Sequence, residues 1–290
     1  MTASANRATL VGTVSIVLWG ALALLTRLVG DIPPFQLLTM TFSIAFFMML
    51  GKWLWNRQSL LRILCQPWPV WLLGVSGLFG YHLFYFIALA HAPVVEASLI
   101  AYLWPLLIVL LASLLPGNRL YARHLVGAVI AFSGVWLLLG QGPGFQSVYL
   151  IGYLAAAACA LIWSGYSVLS RLVKQVPTDA VGGFCGVTAV LGLLSHLLWE
   201  NTVWPLTAAQ WSGVIGLGLG PVGLAFFTWD YGVKHGHLQL LGVLAYATPL
   251  LSTLLLVLVG MAAPGWNLLF ACLAISGGSL VASLGFRKTA

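Results

Sequence analysis

Charge is what this chain has least of. Only 5 of its 290 residues are Asp or Glu and 12 are Lys or Arg, 6% in all, where a soluble domain carries about 25%. So few ionic groups cannot wet the surface of a globule this size, which excludes an ordinary water-soluble domain. Cysteine is also scarce. Cys65, Cys159, Cys185 and Cys272 show no C-x-x-C spacing, so the common zinc and dithiol motifs are excluded. Three of them sit in apolar runs, and the four read as small buried hydrophobes, not disulfide partners. Signatures of catalysis are missing too: no H-E-x-x-H, no phosphate-binding loop, no G-x-S-x-G. Ser195 and His196 are neighbours on a helix, so their side chains diverge by about 100° and form no nucleophile–base pair. The chain does not read as an enzyme, and it implies no cofactor and no metal. Its net charge of +7 is scattered through loops, so no nucleic-acid partner is implied.

What is there is apolar. Hydrophobic residues make up 61% of the chain, in continuous runs such as "LVGTVSIVLWGALALLT" and "LLSTLLLVLVGMAAPGW". Within a bilayer each backbone polar group must be satisfied inside its own segment, so the choice is helices or a closed barrel. Barrel strands would show about ten residues of alternating polarity; these runs do not alternate. An all-α membrane protein follows. Breaks at Gly, Pro and charge clusters predict ten transmembrane helices near 8–28, 34–53, 68–90, 93–115, 121–140, 149–172, 179–199, 211–233, 237–260 and 265–286. The first is a full span long, without a convincing cleavage site, and reads as a retained helix.

Lys and Arg locate the two faces. With the N-terminus in the cytoplasm, the inner segments hold Arg7; Lys52, Arg57 and Arg62; Arg119 and Arg123; Arg171 and Lys174; Lys234; and Arg287 and Lys288, which leaves Arg27 alone outside. A bias this steep sets orientation, puts both termini in the cytoplasm and supports ten spans, since a missed span would scramble the alternation.

A repeat runs through the chain. At a constant offset of 144, Trp19 matches Trp163, "TRLV" matches "SRLV", His91 matches His235, Tyr102 matches Tyr246, Pro105 matches Pro249 and Gly134 matches Gly278. Residues 1–144 and 145–290 therefore read as two five-helix repeats. Five is odd, so the second half enters the membrane from the opposite side. Two inverted repeats around a central cavity are a recurring plan of secondary transporters.

Several residues point to that cavity. Pro105 and Pro249 lie near the middle of their spans, where proline either fixes a kink or breaks the helix and opens polar backbone to a site; they are the candidate hinges. Tyr102 and Tyr246 precede them by three residues, and a buried phenol needs a partner. Trp19 and Trp163 lie mid-span, away from the interface where Trp55, Trp68, Trp71, Trp204, Trp211 and Trp266 fit as anchors. In the third span Gly74, Gly77 and Gly80 permit close helix approach. His82 and Tyr85 share a face there, and their repeat partners are Phe226 and Trp229. Glu96 and Asp230 are the two ionisable residues within spans, hence the candidates for ion coupling. Asp230 also fits a local pair with Lys234, one turn on.

The motifs "VLWG", "VEASLIAYLWPLL" and "YGVKHGHLQLLGVLAYATPLLS" resemble the EamA branch of the drug/metabolite transporter superfamily, and within it the YddG-type amino-acid exporters. The resemblance covers essentially the whole chain. It implies a bacterial inner-membrane exporter of aromatic and other neutral amino acids, with a cavity between inverted halves. Trp19, Tyr102, Trp104, Pro105, Trp163, Tyr246 and Pro249 fall on matching positions. The chain departs from many members of the branch, which carry a Glu just after spans four and nine; here Asn118 and Ala262–Ala263 stand in those regions. A pocket of Trp, Tyr and His without buried charge suits a molecule of zero net charge. The substrate-lining candidates are Trp19, His82, Tyr85, Tyr102, Trp104, Trp163 and Tyr246. An aromatic box also suits a drug-like or quaternary cation, the alternative substrate class. A membrane-embedded enzyme, a scaffold and a channel are less well served by this pattern. The implied partners are the small-molecule substrate and the lipid bilayer; a monomer is plausible and the oligomeric state stays open.

Overall fold

The computed structural model describes residues 3–116, 119–139, 146–261, 263 and 265–284. Asn118, Ala262, Arg287 and Lys288 lie outside that set, as does the Arg62 side chain. Among the described residues, eight helices are long and apolar enough to cross a membrane: α1 (Ser4–Val29), α2 (Pro34–Trp55), α3 (Trp68–His91), α4 (Val94–Ala112), α6 (Ser147–Val173), α7 (Ala180–Trp199), α8 (Ala208–His235) and α9 (Leu238–Leu258). Two shorter apolar helices, α5 (Ala122–Leu139) and α10 (Trp266–Ser283), complete the bundle. Each expected span coincides with one of these to within a few residues.

Local chemistry sets the ends. Pro34 opens α2, and Pro67 and Pro93 immediately precede α3 and α4, where a missing N–H costs nothing and the fixed φ suits a first turn. Thr207 and Gln210 form a reciprocal capping box at α8, with Gln210 N donating to Thr207 Oγ1 at 3.2 Å and Thr207 N donating to Gln210 Oε1 at 3.1 Å. Gly30 ends α1 at φ +73°, a left-handed conformation that side chains resist.

Four of the apolar helices carry irregularities that come in pairs; α1 is interrupted as well, at Ala21, with no such break in α6. A π-helical turn at Ser76–Gly80 in α3 is matched by one at Gly220–Leu224 in α8. In α4 the helix ends at Ala101 and resumes at Trp104; in α9 it ends at Leu244 and resumes at Ala247. Pro105 and Pro249 each sit in the first turn of the resumed helix, so the freed N–H positions fall where a helix needs none. In α9 the carbonyl that Pro249 leaves unclaimed is taken by Thr248, whose N–H donates to Ala245 O at 3.1 Å.

Packing follows a pattern. α1 runs along α8 and α3 along α6; α2 pairs with α7 and α5 with α10. The second half of α4 crosses the first half of α9, while α4 also touches α6 and α9 touches α1. Small residues allow the closest crossings, as where Gly127 of α5 meets Gly278 of α10 backbone to backbone. The α2–α7 pair is tied at both ends. Lys52 pairs with Asp179 at 2.5 Å. At the other end the Glu200 carboxylate accepts from Phe35 N at 2.9 Å and Gln36 N at 3.0 Å, and contacts His196 Nδ1 at 2.9 Å. An anion there offsets the positive end of α2.

Three sequence expectations need correcting. Gly80 has ordinary open contact distances, so only Gly74 and Gly77 of that trio permit close approach, to Phe184 and Tyr166. Trp71 is half-buried against Phe184 and donates to Leu64 O at 3.2 Å, while Trp55, Trp68, Trp204, Trp211 and Trp266 are exposed. Cys159 and Cys185 are buried, whereas Cys65 is exposed, because the short helix Leu60–Leu64 ends just before it.

Candidate functional site

A cavity of about 770 Å³ opens between α1, α2, α3 and α4 of the first half and α6, α8 and α9 of the second. Its mouth lies at the end of the bundle that carries Arg27, Gly30 and Val94; its floor is aromatic. Trp19 from α1 and Trp163 from α6 meet edge to face with centroids 5.7 Å apart. Trp104 of α4 stands 6.3 Å from Trp19 and 6.4 Å from Trp163, nearly perpendicular to both. Beneath them Trp229 of α8 is fully buried, 5.2 Å from Trp19 and 6.3 Å from Trp163. Edge-to-face pairs at these separations each contribute about 0.5–1.5 kcal/mol beyond burial, so the four indoles hold one another as a plate.

The π turns serve this plate and the wall above it. Each turn holds a carbonyl that meets a side chain of the site. In α8 Pro221 O accepts from Trp19 Nε1 at 3.0 Å. In α3 Leu78 O lies 2.6 Å from His82 Nδ1, the same one-turn contact that His91 Nδ1 makes with Ile87 O at 2.9 Å. A carbonyl can only accept, so Nδ1 holds the proton there, and in the neutral ring Nε2 is left as an acceptor. Tyr81 and Tyr85 stack above, with centroids 6.0 Å apart, and Tyr81 leans on Trp163 at 5.6 Å. Ser98, Tyr102 and Ser252 add neutral polar groups to the wall. No Asp or Glu is among the described lining residues.

The structure brings Trp19, His82, Tyr85, Tyr102, Trp104 and Trp163 onto one cavity. Tyr246 stands apart: it is fully buried in a second cluster with Val135 and Ile275, its ring 6.0 Å from Phe132 of α5. Pro105 and Pro249 are buried behind the wall. Glu96, near the start of α4, is buried, and neither of its carboxylate oxygens has a hydrogen-bond partner among the described residues.

Asp230 lies below the floor and pairs with Lys234 at 2.8 Å, both side chains almost wholly buried. Its carboxylate also accepts from Thr178 Oγ1 at 2.6 Å and, more weakly, from Tyr166 Oη at 3.5 Å. Lys234 Nζ donates to Val176 O at 3.1 Å. Trp229 Nε1 donates to Ser167 Oγ at 3.0 Å, which in turn donates to Trp163 O at 2.8 Å. Arg171 closes this end, donating to Val233 O at 3.2 Å and Gly236 O at 2.7 Å. Sequence reasoning missed Tyr81, Phe42 and Phe226 as parts of the site. The last was in reach as the repeat partner of His82, but nothing about Tyr81 or Phe42 sets them apart from other aromatic residues in apolar runs.

Comparison with known proteins gives a consistent picture. A 53% identical relative, matched over 98% of this chain and all of its own length, is named "Aromatic amino acid exporter YddG" in Ancylobacter novellus. A protein of the same name in Escherichia coli is 26% identical, with 98% and 99% of the two chains covered. A solved crystal structure of a 52% identical protein superposes with a TM-score of 0.94, covering 99% of this chain and 100% of that one. The description "EamA-like transporter family" matches residues 6–140 and again residues 150–284. This multi-pass membrane protein thus belongs to the EamA-like transporter family.

Proposed function

We propose that this protein exports neutral amino acids, aromatic ones and other hydrophobic ones, across the bacterial cytoplasmic membrane by alternating access. The observation that carries this reading is the cavity itself. Its volume lies within the range of small-molecule sites, roughly 300–1,000 Å³, and it joins an indole floor to a neutral polar wall. An aromatic or aliphatic side chain lies on Trp19, Trp104 and Trp163. The zwitterionic head meets the wall above, where His82 Nε2 accepts from the ammonium and the phenols of Tyr85 and Tyr102 donate to the carboxylate. The names of the relatives agree with this substrate class. A cation exporter is less well supported, because the described wall holds no carboxylate and Arg27 sits at its mouth.

In this account α5 and α10 also span, giving ten helices in two inverted halves, residues 1–144 and 145–290. Four features support it. The family match and the π turns repeat at an offset of 144, and the helix breaks fall within one residue of it. The helix pairing is also unchanged when the halves are exchanged: α1–α8 becomes α6–α3, and α2–α7, α4–α9 and α5–α10 map onto themselves. The alternation of Lys and Arg supports an orientation with both termini in the cytoplasm and the open mouth outside. Pro105 and Pro249, at the helix breaks, are the hinges about which α4 and α9 bend.

Reconstitution in liposomes with labelled tryptophan tests the reading. Wild-type protein is expected to move it, and Tyr102→Ala and Trp163→Ala to lower flux by about tenfold or more, equivalent to about 1.4 kcal/mol of lost interaction. Wild-type rates in both folded variants, or transport of organic cations but no amino acid, would contradict it.

A further inference from the structure

The two ends of the cavity differ in chemistry. Above the floor, polar groups come from His82 and Tyr85 of α3. Their counterparts 144 residues on are Phe226 and Trp229 of α8, and the Trp229 N–H is already committed to Ser167. An amino acid approaching the floor from the opposite end therefore finds neither imidazole nor phenol at those positions. What it finds, one residue further along α8, is Asp230, together with Lys234, Thr178 and Tyr166.

The counterparts of that cluster are informative. Positions 166, 178 and 230 correspond to Leu22, Pro34 and Phe86, and each of these three lines the open cavity in this structure; Lys234 corresponds to Ala90, which does not line it but follows Leu89, which does. If the halves exchange conformation, Tyr166, Thr178 and Asp230 become the lining of the cavity that opens at the other end. Tyr166 already borders the floor, its ring 5.3 Å from that of Trp163. A buried ion pair carries a desolvation cost that packed apolar side chains would avoid, and apolar side chains are what the other half uses at the counterparts of this pair, Phe86 and Ala90.

We propose that Asp230 and Lys234, with Thr178 and Tyr166, form a second substrate site on the cytoplasmic side, which binds the charged head of a zwitterionic amino acid when the transporter opens inward. The carboxylate of Asp230 takes the α-ammonium and the ammonium of Lys234 takes the α-carboxylate, so the two dipoles lie antiparallel. The Thr178 and Tyr166 hydroxyls, which now donate to Asp230, turn to the substrate carboxylate. In the outward-open form the pair closes on itself, as seen here, and the substrate leaves through an end with no such pair. Head-group recognition is then strict on loading and loose on release.

The inference rests on the proposed export function, and sided transport separates the two. In right-side-out and inside-out membrane vesicles, half-saturation for labelled tryptophan is measured on each face for wild type and for the double variant Asp230→Asn with Lys234→Met. Expected is a rise of about tenfold or more on the cytoplasmic face, with the external face within about twofold. Tryptamine, which lacks the carboxylate, competes poorly on the cytoplasmic face of wild type and nearly as well as tryptophan in the double variant. A pair that merely locks the inner end would instead, once neutralised, tighten the cytoplasmic face and weaken the external one. That result, or equal shifts on both faces, overturns the site while leaving amino-acid export standing. Wild-type vesicles that move no amino acid overturn both. Should the double variant fail to fold, Tyr166→Phe with Thr178→Val preserves volume and must shift the cytoplasmic face alone in the same direction; no shift overturns the site.

Discussion

His82 shows how a residue acquires a role from its backbone. Its Nδ1 is claimed by Leu78 O, one helical turn back, at 2.6 Å, and this leaves the other nitrogen for a ligand. Replacing it by Phe keeps a ring of similar size against Phe42 and Phe226 but removes that acceptor. His82→Phe is expected to raise half-saturation for tryptophan about tenfold, the loss of one hydrogen bond to a charged group at about 1.5 kcal/mol, with little change in thermal stability. Binding measured by calorimetry checks it, and unchanged affinity contradicts it. The sequence placed His82, Tyr85 and Tyr102 on the cavity because a polar residue in an apolar run has few other uses. It put Tyr246 there too, by analogy with Tyr102. What separates the two is packing: α5 and α10 cover the α9 break, so Tyr246 ends up among Val135 and Ile275. Periodicity cannot carry that information.

Among the elements, α3 and α8 determine the shape of the site through their π turns. Gly77 lies inside the first, and a Cβ there would meet the Tyr166 ring at 2.5 Å, whereas at Gly80 nothing comes nearer than 3.8 Å. Gly77→Ala is therefore expected to destabilise the protein by about 1–3 kcal/mol, as overpacking does, and Gly80→Ala by less than about 0.5 kcal/mol. Thermal unfolding in detergent distinguishes them; equal effects would contradict the packing described. The α2–α7 pair rests on Glu200, and Glu200→Gln is expected to cost about 0.5–2 kcal/mol by removing the anion from the first turn of α2. The helices themselves were legible as long apolar runs between Gly, Pro and charge. The π turns were not, since Ser76–Gly80 and Gly220–Leu224 have no identical residue at matching positions and carry no periodic signal. The repeat offset nonetheless makes each predictable from the other.

At the scale of the molecule, one end is shut and the other open. Arg171 holds α6 to the end of α8 through Val233 O and Gly236 O, while its counterpart Arg27 lines the open mouth beside Leu89, the counterpart of Val233. Arg171→Ala is expected to loosen the shut end and raise the fraction of molecules open to the cytoplasm, read as faster labelling of a cysteine at Val176. The matches at an offset of 144, on which the proposed duplication rests, and the charge alternation were visible in the sequence; which end is open was not, because both conformations satisfy the same apolar pattern. The central claim is that the two halves exchange conformation about the indole floor. Its most direct test is spin-label distance measurement in lipid on two exposed pairs: Asp31 with His91 at the ends of α1 and α3, and Gln175 with His235 at the ends of α6 and α8. The account predicts two populations for each pair, long in one when short in the other, shifting together as substrate is added. A Gln175–His235 distance that stays single and short under every condition that supports flux would contradict it.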